Sequence, residues 1–217
     1  MSDDVKTKVK KIVADHLGIE EEKVTKKNIM LILSSPSGVG KTTLTKKIQQ
    51  KYQNFKISVS HTTRKPRSNE VNGIDYFFVK EKEFKKLIDQ DKFYEYAKIY
   101  NNYYGTLKEK VNSIIKKNDI IFDIDWQGTQ QLSKHKELEL IKIYLITKSQ
   151  DEIKERLINR NQNSQEEIEQ RFSSYAENVK HWSDYDYIII NDNLDVCFKQ
   201  IESVILEQKN KKNYPLS

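Results

Sequence analysis

Short apolar runs alternate with amphipathic stretches along most of this 217-residue chain. Apolar and β-branched runs at 29–34, 57–60, 120–124, 141–146 and 187–190 predict strands. Apolar residues at helical spacing predict helices over 41–52, 81–90, 107–117, 151–160, 165–180 and 194–208. Strands that read as nearly continuous apolar runs belong to parallel sheets covered on both faces. The expected fold class is therefore α/β, a three-layer sandwich of parallel sheet and helices. Two segments interrupt the alternation. Residues 61–106 are rich in Tyr, Asn and Arg with a short strand at 76–79, and predict a small mixed α+β insertion. Residues 150–176 are dominated by charge. There Ser164 and Glu167 form a capping box, and Ile168, Phe172, Tyr175 and Val179 follow at helical spacing, which predicts a helix. The core domain is then 29–60, 107–149 and 177–210.

Residues 1–28 stand apart. Val5, Val9, Ile12, Val13 and Leu17 make one apolar stripe, and Gly18 is placed to cap the helix. The stretch 9–25 resembles the first helix of an acyl carrier protein, but the Asp-Ser-Leu carrier site is missing. A carrier function is not supported, and the segment reads as a leader helix, native or appended.

Composition narrows the partners. Charged residues make up 32% of the chain, and no run of about 18 apolar residues predicts a membrane span. The net charge of +6 suits a phosphate-rich partner, whether nucleotide, nucleic acid or anionic lipid. The charge is spread along the chain instead of gathered in a tail, which favours the nucleotide. Cys197 is the single cysteine, so no disulfide forms within the chain, and a reducing, cytoplasmic setting is expected. It lies on an apolar stripe with Leu194, Phe198, Ile201 and Ile205, as a packed side chain would. His16, His61, His135 and His181 show no metal-ligand spacing. The first residues carry acids and no apolar core, unlike a secretory or mitochondrial leader.

Candidate chemistry begins where the first strand ends. Ser35, Pro36, Ser37, Gly38, Val39, Gly40, Lys41, Thr42 and Thr43 lead into a helix and approximate a phosphate-binding loop. Backbone N–H groups of such a loop cradle phosphate oxygens at the helix N-terminus. Lys41 supplies a mobile positive charge to the β- and γ-phosphates, and the Thr42 hydroxyl is a ligand for Mg²⁺. Ser35 stands where the motif has its first glycine, so the turn there must be one that a residue with a side chain adopts. Downstream, Arg64 and Arg67 flank Pro66 and are placed to converge on one phosphate, with the hydroxyls of Ser60 and Tyr76 beside them. Asp123 ends an apolar strand, where a nucleotide-binding fold puts its Mg²⁺-associated acid.

These motifs come in one order: the phosphate loop, Ser60-His-Thr-Thr-Arg-Lys-Pro-Arg67, Glu70-Val-Asn-Gly-Ile-Asp-Tyr76, Asn102-Tyr-Tyr-Gly-Thr106 and Asp123-Ile-Asp125. Together they make residues 29–208 resemble a guanylate kinase. The resemblance implies a P-loop nucleoside-monophosphate kinase fold, with 61–106 as the GMP-binding insertion and 150–176 as the lid. It implies Mg²⁺-dependent transfer of the γ-phosphate of ATP to GMP or dGMP. It also implies that Ser60, Arg64, Arg67, Tyr76 and Tyr104 hold the GMP phosphate, while Glu95, Thr106 and Asp125 read guanine. Guanine offers two donors on one edge, which a carboxylate such as Glu95 accepts together, whereas adenine offers an acceptor there.

The same reading gives the remaining expectations. Arg156, Arg160 and Arg171 in the charged segment would close over the transferring group. Arg156 also has the spacing of a surface ion pair with Glu152. By resemblance, Asn191 lies near the adenine of ATP. With Lys41 and Arg64, Arg160 and Arg171 are the residues expected to act in catalysis. Partners are expected to be small nucleotides, not nucleic acid or membrane, and the assembly a monomer or homodimer. A peptide-binding module with a degraded loop is disfavoured by the intact Gly40, Lys41 and Thr42. A sugar-phosphate kinase would lack the guanine-reading residues.

Overall fold

Met30–Ser34 (β1) is buried along its whole length, as a strand in the middle of a covered parallel sheet must be. The computed structural model describes residues 28–159 and 165–213. Asn28–Leu206 form one compact unit, and the leader helix expected before it lies outside the described residues.

The chain continues from β1 through helix Lys41–Lys51 (α1) and strands Phe55–Ile57 (β2), His61–Thr62 (β3) and Phe77–Phe78 (β4). Next come helix Glu81–Asp89 (α2), the hairpin Phe93–Ile99 (β5) and Asn102–Leu107 (β6), and helix Lys108–Ile115 (α3). Strand Asp119–Asp123 (β7), helix Trp126–Leu132 (α4), strand Leu140–Ile146 (β8) and helix Gln150–Asn159 (α5) follow. Helices Gln165–Ser173 (α6) and Tyr175–Val179 (α7), a 3-10 turn, strand Tyr187–Ile190 (β9) and helix Leu194–Asn213 (α8) complete it.

The main sheet has the order β2-β7-β1-β8-β9, and every pairing is parallel. Successive side chains of a strand point to opposite faces, so each strand feeds two cores. Leu31, Leu33, Ile121 and Ile143 pack with Leu44, Ile48, Ile153, Leu157 and Ile201 from α1, α5 and α8. Ile32, Ile120, Phe122 and Tyr144 pack on the other face with Val111 of α3 and Leu132 of α4. This is the expected three-layer α/β fold. Cys197 is buried in the first of these cores, and burial pushes its thiol up to about 11.

The second sheet, β4-β3-β6-β5, is built from the 61–106 segment and mixes parallel and antiparallel pairs. The strand expected at 57–60 ends earlier than its apolar pattern suggests. The Ser58 amide still donates to the Ile121 carbonyl at 2.8 Å, and then the chain leaves to begin β3 in the other sheet. The helix expected over 165–180 is broken. Around the break, the hydroxyls of Ser173 and Ser174 donate back to the carbonyls of Gln170 and Arg171, a local bonding that competes with the helical ladder.

Candidate active site

The end of β1 turns into α1 through a loop that glycine makes possible. Gly38 and Gly40 both have left-handed φ, 91° and 101°. A Cβ on Gly40 would also lie 2.9 Å from the Asn191 amide nitrogen. Ser35 needs no such freedom, because the non-glycine residues with positive φ are Asp91 and Tyr100. Its hydroxyl donates to the Pro36 carbonyl at 2.8 Å. The first turn of α1 holds no acidic residue, and Gly40 offers no side-chain cap. Its N–H groups and positive dipole end are therefore left to an anion.

Parallel pairing sets the acid beside this loop. Asp123 is in register with Leu33, so the carboxylate emerges next to the loop. Lys41 Nζ lies 2.8 Å from Asp123 Oδ1 and donates to the Ile124 carbonyl at 3.0 Å. The Thr42 hydroxyl donates to Asp123 Oδ2 at 3.3 Å. A hydroxyl and a carboxylate so close are a fitting partial donor set for Mg²⁺, which keeps several waters and takes the rest of its oxygens from phosphate. Among the described residues no cluster of three metal-ligating side chains would hold an ion alone.

A cavity of about 430 Å³ opens from this loop. Ser35 to Thr42 line one end, and Ser60, Arg64, Arg67, Tyr76 and Tyr104 line another wall. Arg64 Nη2 is 2.7 Å from Glu70 Oε1, and the Arg67 amide donates to Glu70 Oε2 at 2.8 Å. The Arg64 guanidinium also lies over the Tyr76 ring, 5.4 Å from its centre. Burial disfavours the Arg64 charge, but the hydrogen bond to Glu70 and the charges of Tyr104 and Glu70 outweigh it and raise the pKa. For Glu70, burial is likewise outweighed by Arg64 and the Arg67 amide, and its pKa is lowered. Burial, then the Asp123 charge, raises Tyr76, which stays a hydrogen-bond donor.

Glu95 and Asp125 face the same cavity. On β5, Phe93, Glu95 and Ala97 are buried while Tyr96 and Lys98 are exposed, so Glu95 occupies an inward position. A register shift between Phe93 and Glu95 marks a bulge, a device that re-aims a side chain. Glu95 is 4% exposed and its pKa is pushed up to about 7. Burial is the main cause and the Asp125 charge adds to it; Thr106 and Lys41 oppose it. Thr106, fully buried, pairs with Glu95 across β5 and β6, its hydroxyl near the carboxylate without meeting it in good hydrogen-bond geometry. Asp125 is raised by burial against the pull of the Gly128 amide and Lys41. Its Oδ1 accepts from that amide at 3.0 Å and caps α4.

The lid side is mixed. Arg171 lines the cavity, and its Nη1 donates to the Ser37 hydroxyl at 3.2 Å. Arg160 lies outside the described residues. Arg156 and Asn191 are not among the lining residues. They grip the phosphate loop from behind: Arg156 Nη1 and Asn191 Nδ2 both donate to the Val39 carbonyl, at 3.2 and 2.6 Å. Arg156 Nη2 also donates to the Asn191 carbonyl at 2.8 Å, and it keeps the ion pair with Glu152 at 3.3 Å. Thr43 is exposed on α1 and outside the cavity lining.

Sequence reasoning passed over several walls of the cavity. Tyr100, Trp126, Ser174 and Asn178 line it, and the Tyr100 hydroxyl lies 3.1 Å from that of Ser174. Glu70 has no role in the sequence reading. The available signal was its place three residues after Arg67, within reach of both arginines.

Known proteins resemble this chain over most of its length. The guanylate kinase family profile matches residues 27–208. The guanylate kinase of Rickettsia prowazekii is 43% identical over 190 residues, which covers 87% of this chain and 96% of that protein. The guanylate kinase of Novosphingobium aromaticivorans is 37% identical over 194 residues, covering 89% and 88%. The crystal structure of guanylate kinase from Anaplasma phagocytophilum superposes with a TM-score of 0.71 at 27% identity, covering 85% of this chain and 88% of that one. With a phosphate loop, an arginine pair and two inward carboxylates around one cavity, and with a family profile and relatives that match most of its length, the chain belongs to the guanylate kinase family.

Proposed function

We propose that this protein transfers the γ-phosphate of ATP to GMP, and also to dGMP, giving ADP and the diphosphate. The observation that carries the reading is the single cavity, which joins the Lys41 loop to the Arg64–Arg67 pair and to buried Glu95. Two polyanions repel each other, so the site must supply fixed positive charge, alignment and exclusion of water more than a covalent nucleophile.

On the donor side, the loop amides and Lys41 hold the β- and γ-phosphates. Thr42 and Asp123 would hold Mg²⁺, directly or through water. When bound, that ion neutralises charge on the phosphate oxygens. Arg171, hydrogen-bonded to Ser37, reaches the transferring group from the lid, and Arg160 is assigned to the same task. Arg156 and Asn191 act through the loop, by fixing the Val39 carbonyl. On the acceptor side, Arg64 and Arg67 bind the GMP phosphate, joined and aimed by Glu70. Ser60, Tyr76 and Tyr104 donate hydroxyls to it. Glu95 accepts from guanine N1–H and the 2-amino group, with Thr106 and Asp125 completing the base site. The acceptor phosphate oxygen is already anionic enough to attack, so no general base is needed. Action in the cytoplasm, as a monomer or homodimer with small nucleotides as partners, belongs to the same reading.

A coupled assay of ADP release, with ATP, Mg²⁺ and each nucleoside monophosphate in turn, tests it. GMP and dGMP are expected to turn over, and AMP, CMP and UMP to fail by roughly 10⁴-fold, because the wrong base leaves buried polar groups unpaired. Absence of GMP-dependent ADP release refutes the reading.

A further inference from the structure

Gly128 is out of place in a helix. It sits in the first turn of α4, where glycine is destabilising relative to alanine. Nor does its backbone ask for glycine: the glycines with positive φ are Gly38, Gly40 and Gly73. The reason lies in what a side chain would meet. A Cβ built on Gly128 falls 2.6 Å from Glu95 Oε2 and 3.1 Å from Glu95 Cδ, while its next neighbour, Ile124 Cβ, is at an ordinary 3.4 Å. The obstacle is the carboxylate itself. That carboxylate is the far end of a flexible side chain on the cavity wall, so a Cβ at Gly128 would displace it within the same cavity that the base is proposed to enter. From the same residue, the backbone amide donates to Asp125 Oδ1 at 3.0 Å. One residue thus touches both inward carboxylates, the first through an absent side chain and the second through its N–H.

We propose that Gly128 is the specificity-determining position for the purine base: its missing side chain leaves the room in which the Glu95 carboxylate lies flat against the guanine edge, and its amide sets Asp125 beside it. The proposal rests on the assignment of Glu95 to guanine. Gly128 is a positioning residue and makes no contact with the base of its own. A methyl group there must push the Glu95 carboxylate or the start of α4 aside by several tenths of an ångström. Hydrogen bonds weaken steeply with angle, so the pair of bonds to N1–H and the 2-amino group suffers together. Hypoxanthine lacks the 2-amino group. GMP therefore loses more than IMP when the carboxylate is displaced, and the preference between them narrows.

The test compares the intact protein with Gly128→Ala, Glu95→Asp and the double variant, using GMP, IMP and ATP in turnover and in calorimetric titration. For Gly128→Ala the KM for GMP is expected to rise roughly 10- to 100-fold and the GMP-over-IMP preference to fall about tenfold, with the KM for ATP within about twofold. Shortening Glu95 by one methylene opens the space that the new methyl group needs. The double variant should thus bind GMP better than the product of the two single effects predicts. It also serves if Gly128→Ala fails to fold, since it removes the clash. An unchanged GMP KM and GMP-over-IMP preference, an equal rise for ATP and GMP, or a double variant whose losses simply multiply would overturn the proposal. So would a double variant that fails to fold, because the obstacle would then not be Glu95. An unsubstituted protein that releases no ADP with GMP would instead refute the assignment of function beneath it.

Discussion

Replacing Glu95 by Gln should make the nucleotide-free protein more stable at alkaline pH while harming its use of GMP. The reasoning starts from burial. Glu95 has a folded pKa of about 7 against an ordinary 4.5. The fold therefore favours the protonated carboxyl. That favour is complete below pH 4.5, the unfolded value, and is lost as pH rises through 7. Fully ionised, the buried group costs about 3 kcal/mol more in the fold than in the unfolded chain. Between pH 5.5 and pH 8 the wild type should lose about 2 kcal/mol through this one group, a loss that Gln, which does not titrate, avoids. For a chain of this size the melting temperature of Glu95→Gln, relative to wild type, should climb by about 4–8 °C across that interval. The other acids and bases titrate in both proteins and largely cancel in the difference. Meanwhile the carboxamide offers one acceptor where guanine offers two donors, and the KM for GMP should rise by roughly 10²-fold or more. The assay is thermal unfolding at a series of pH values without nucleotide, paired with steady-state kinetics. A melting difference that stays flat from pH 5.5 to 8 would show that the carboxyl is not held protonated. An unaltered KM for GMP would remove Glu95 from the guanine site.

Lys41→Ala should lower kcat by about 10³-fold or more if, as proposed, the residue meets charge that develops during phosphoryl transfer, while calorimetric GMP affinity changes little. Glu70→Gln leaves Arg64 and Arg67 without their shared counter-ion, and should raise the KM for GMP about tenfold with ATP nearly unaffected. Equal effects on both substrates would count against that role. Asn191→Ala removes a buried hydrogen bond to the Val39 carbonyl. It should destabilise the protein by about 1–3 kcal/mol and weaken ATP binding more than GMP binding, as measured by melting and calorimetry.

Legibility in the sequence followed chemistry that is local. β1 and the phosphate loop were plain, because an apolar run, two glycines and a Lys-Thr pair adjoin. The β5–β6 hairpin was not read as strands. Its inward positions, Phe93, Glu95 and Ala97, include a carboxylate, so the period of two is broken at the residue that matters most. Only resemblance identified Glu95. α4 was missed for a related reason: Trp126-Gln-Gly-Thr-Gln-Gln-Leu132 has little apolar periodicity and is held by the Asp125 cap and by contact with β5. Arg156 is expected over the transferring group and Asn191 near the adenine, whereas both donate to the Val39 carbonyl; spacing along a chain cannot tell which side of a loop a side chain approaches. For Glu70 the sequence offers only its place three residues after Arg67; that it joins both cations is visible in the fold alone.

The level pairing of Leu33 with Asp123 ties chemistry to architecture. Neighbouring residues of a strand look in opposite directions. Sliding the seventh strand by a single step would therefore exchange this acid for an aromatic ring and turn the charge toward greasy layers. The alignment is guarded not by the cleft but by the oily residues upstream, Ile120 to Phe122. Substitutions there, outside the cavity lining, should blunt catalysis before they unfold the molecule.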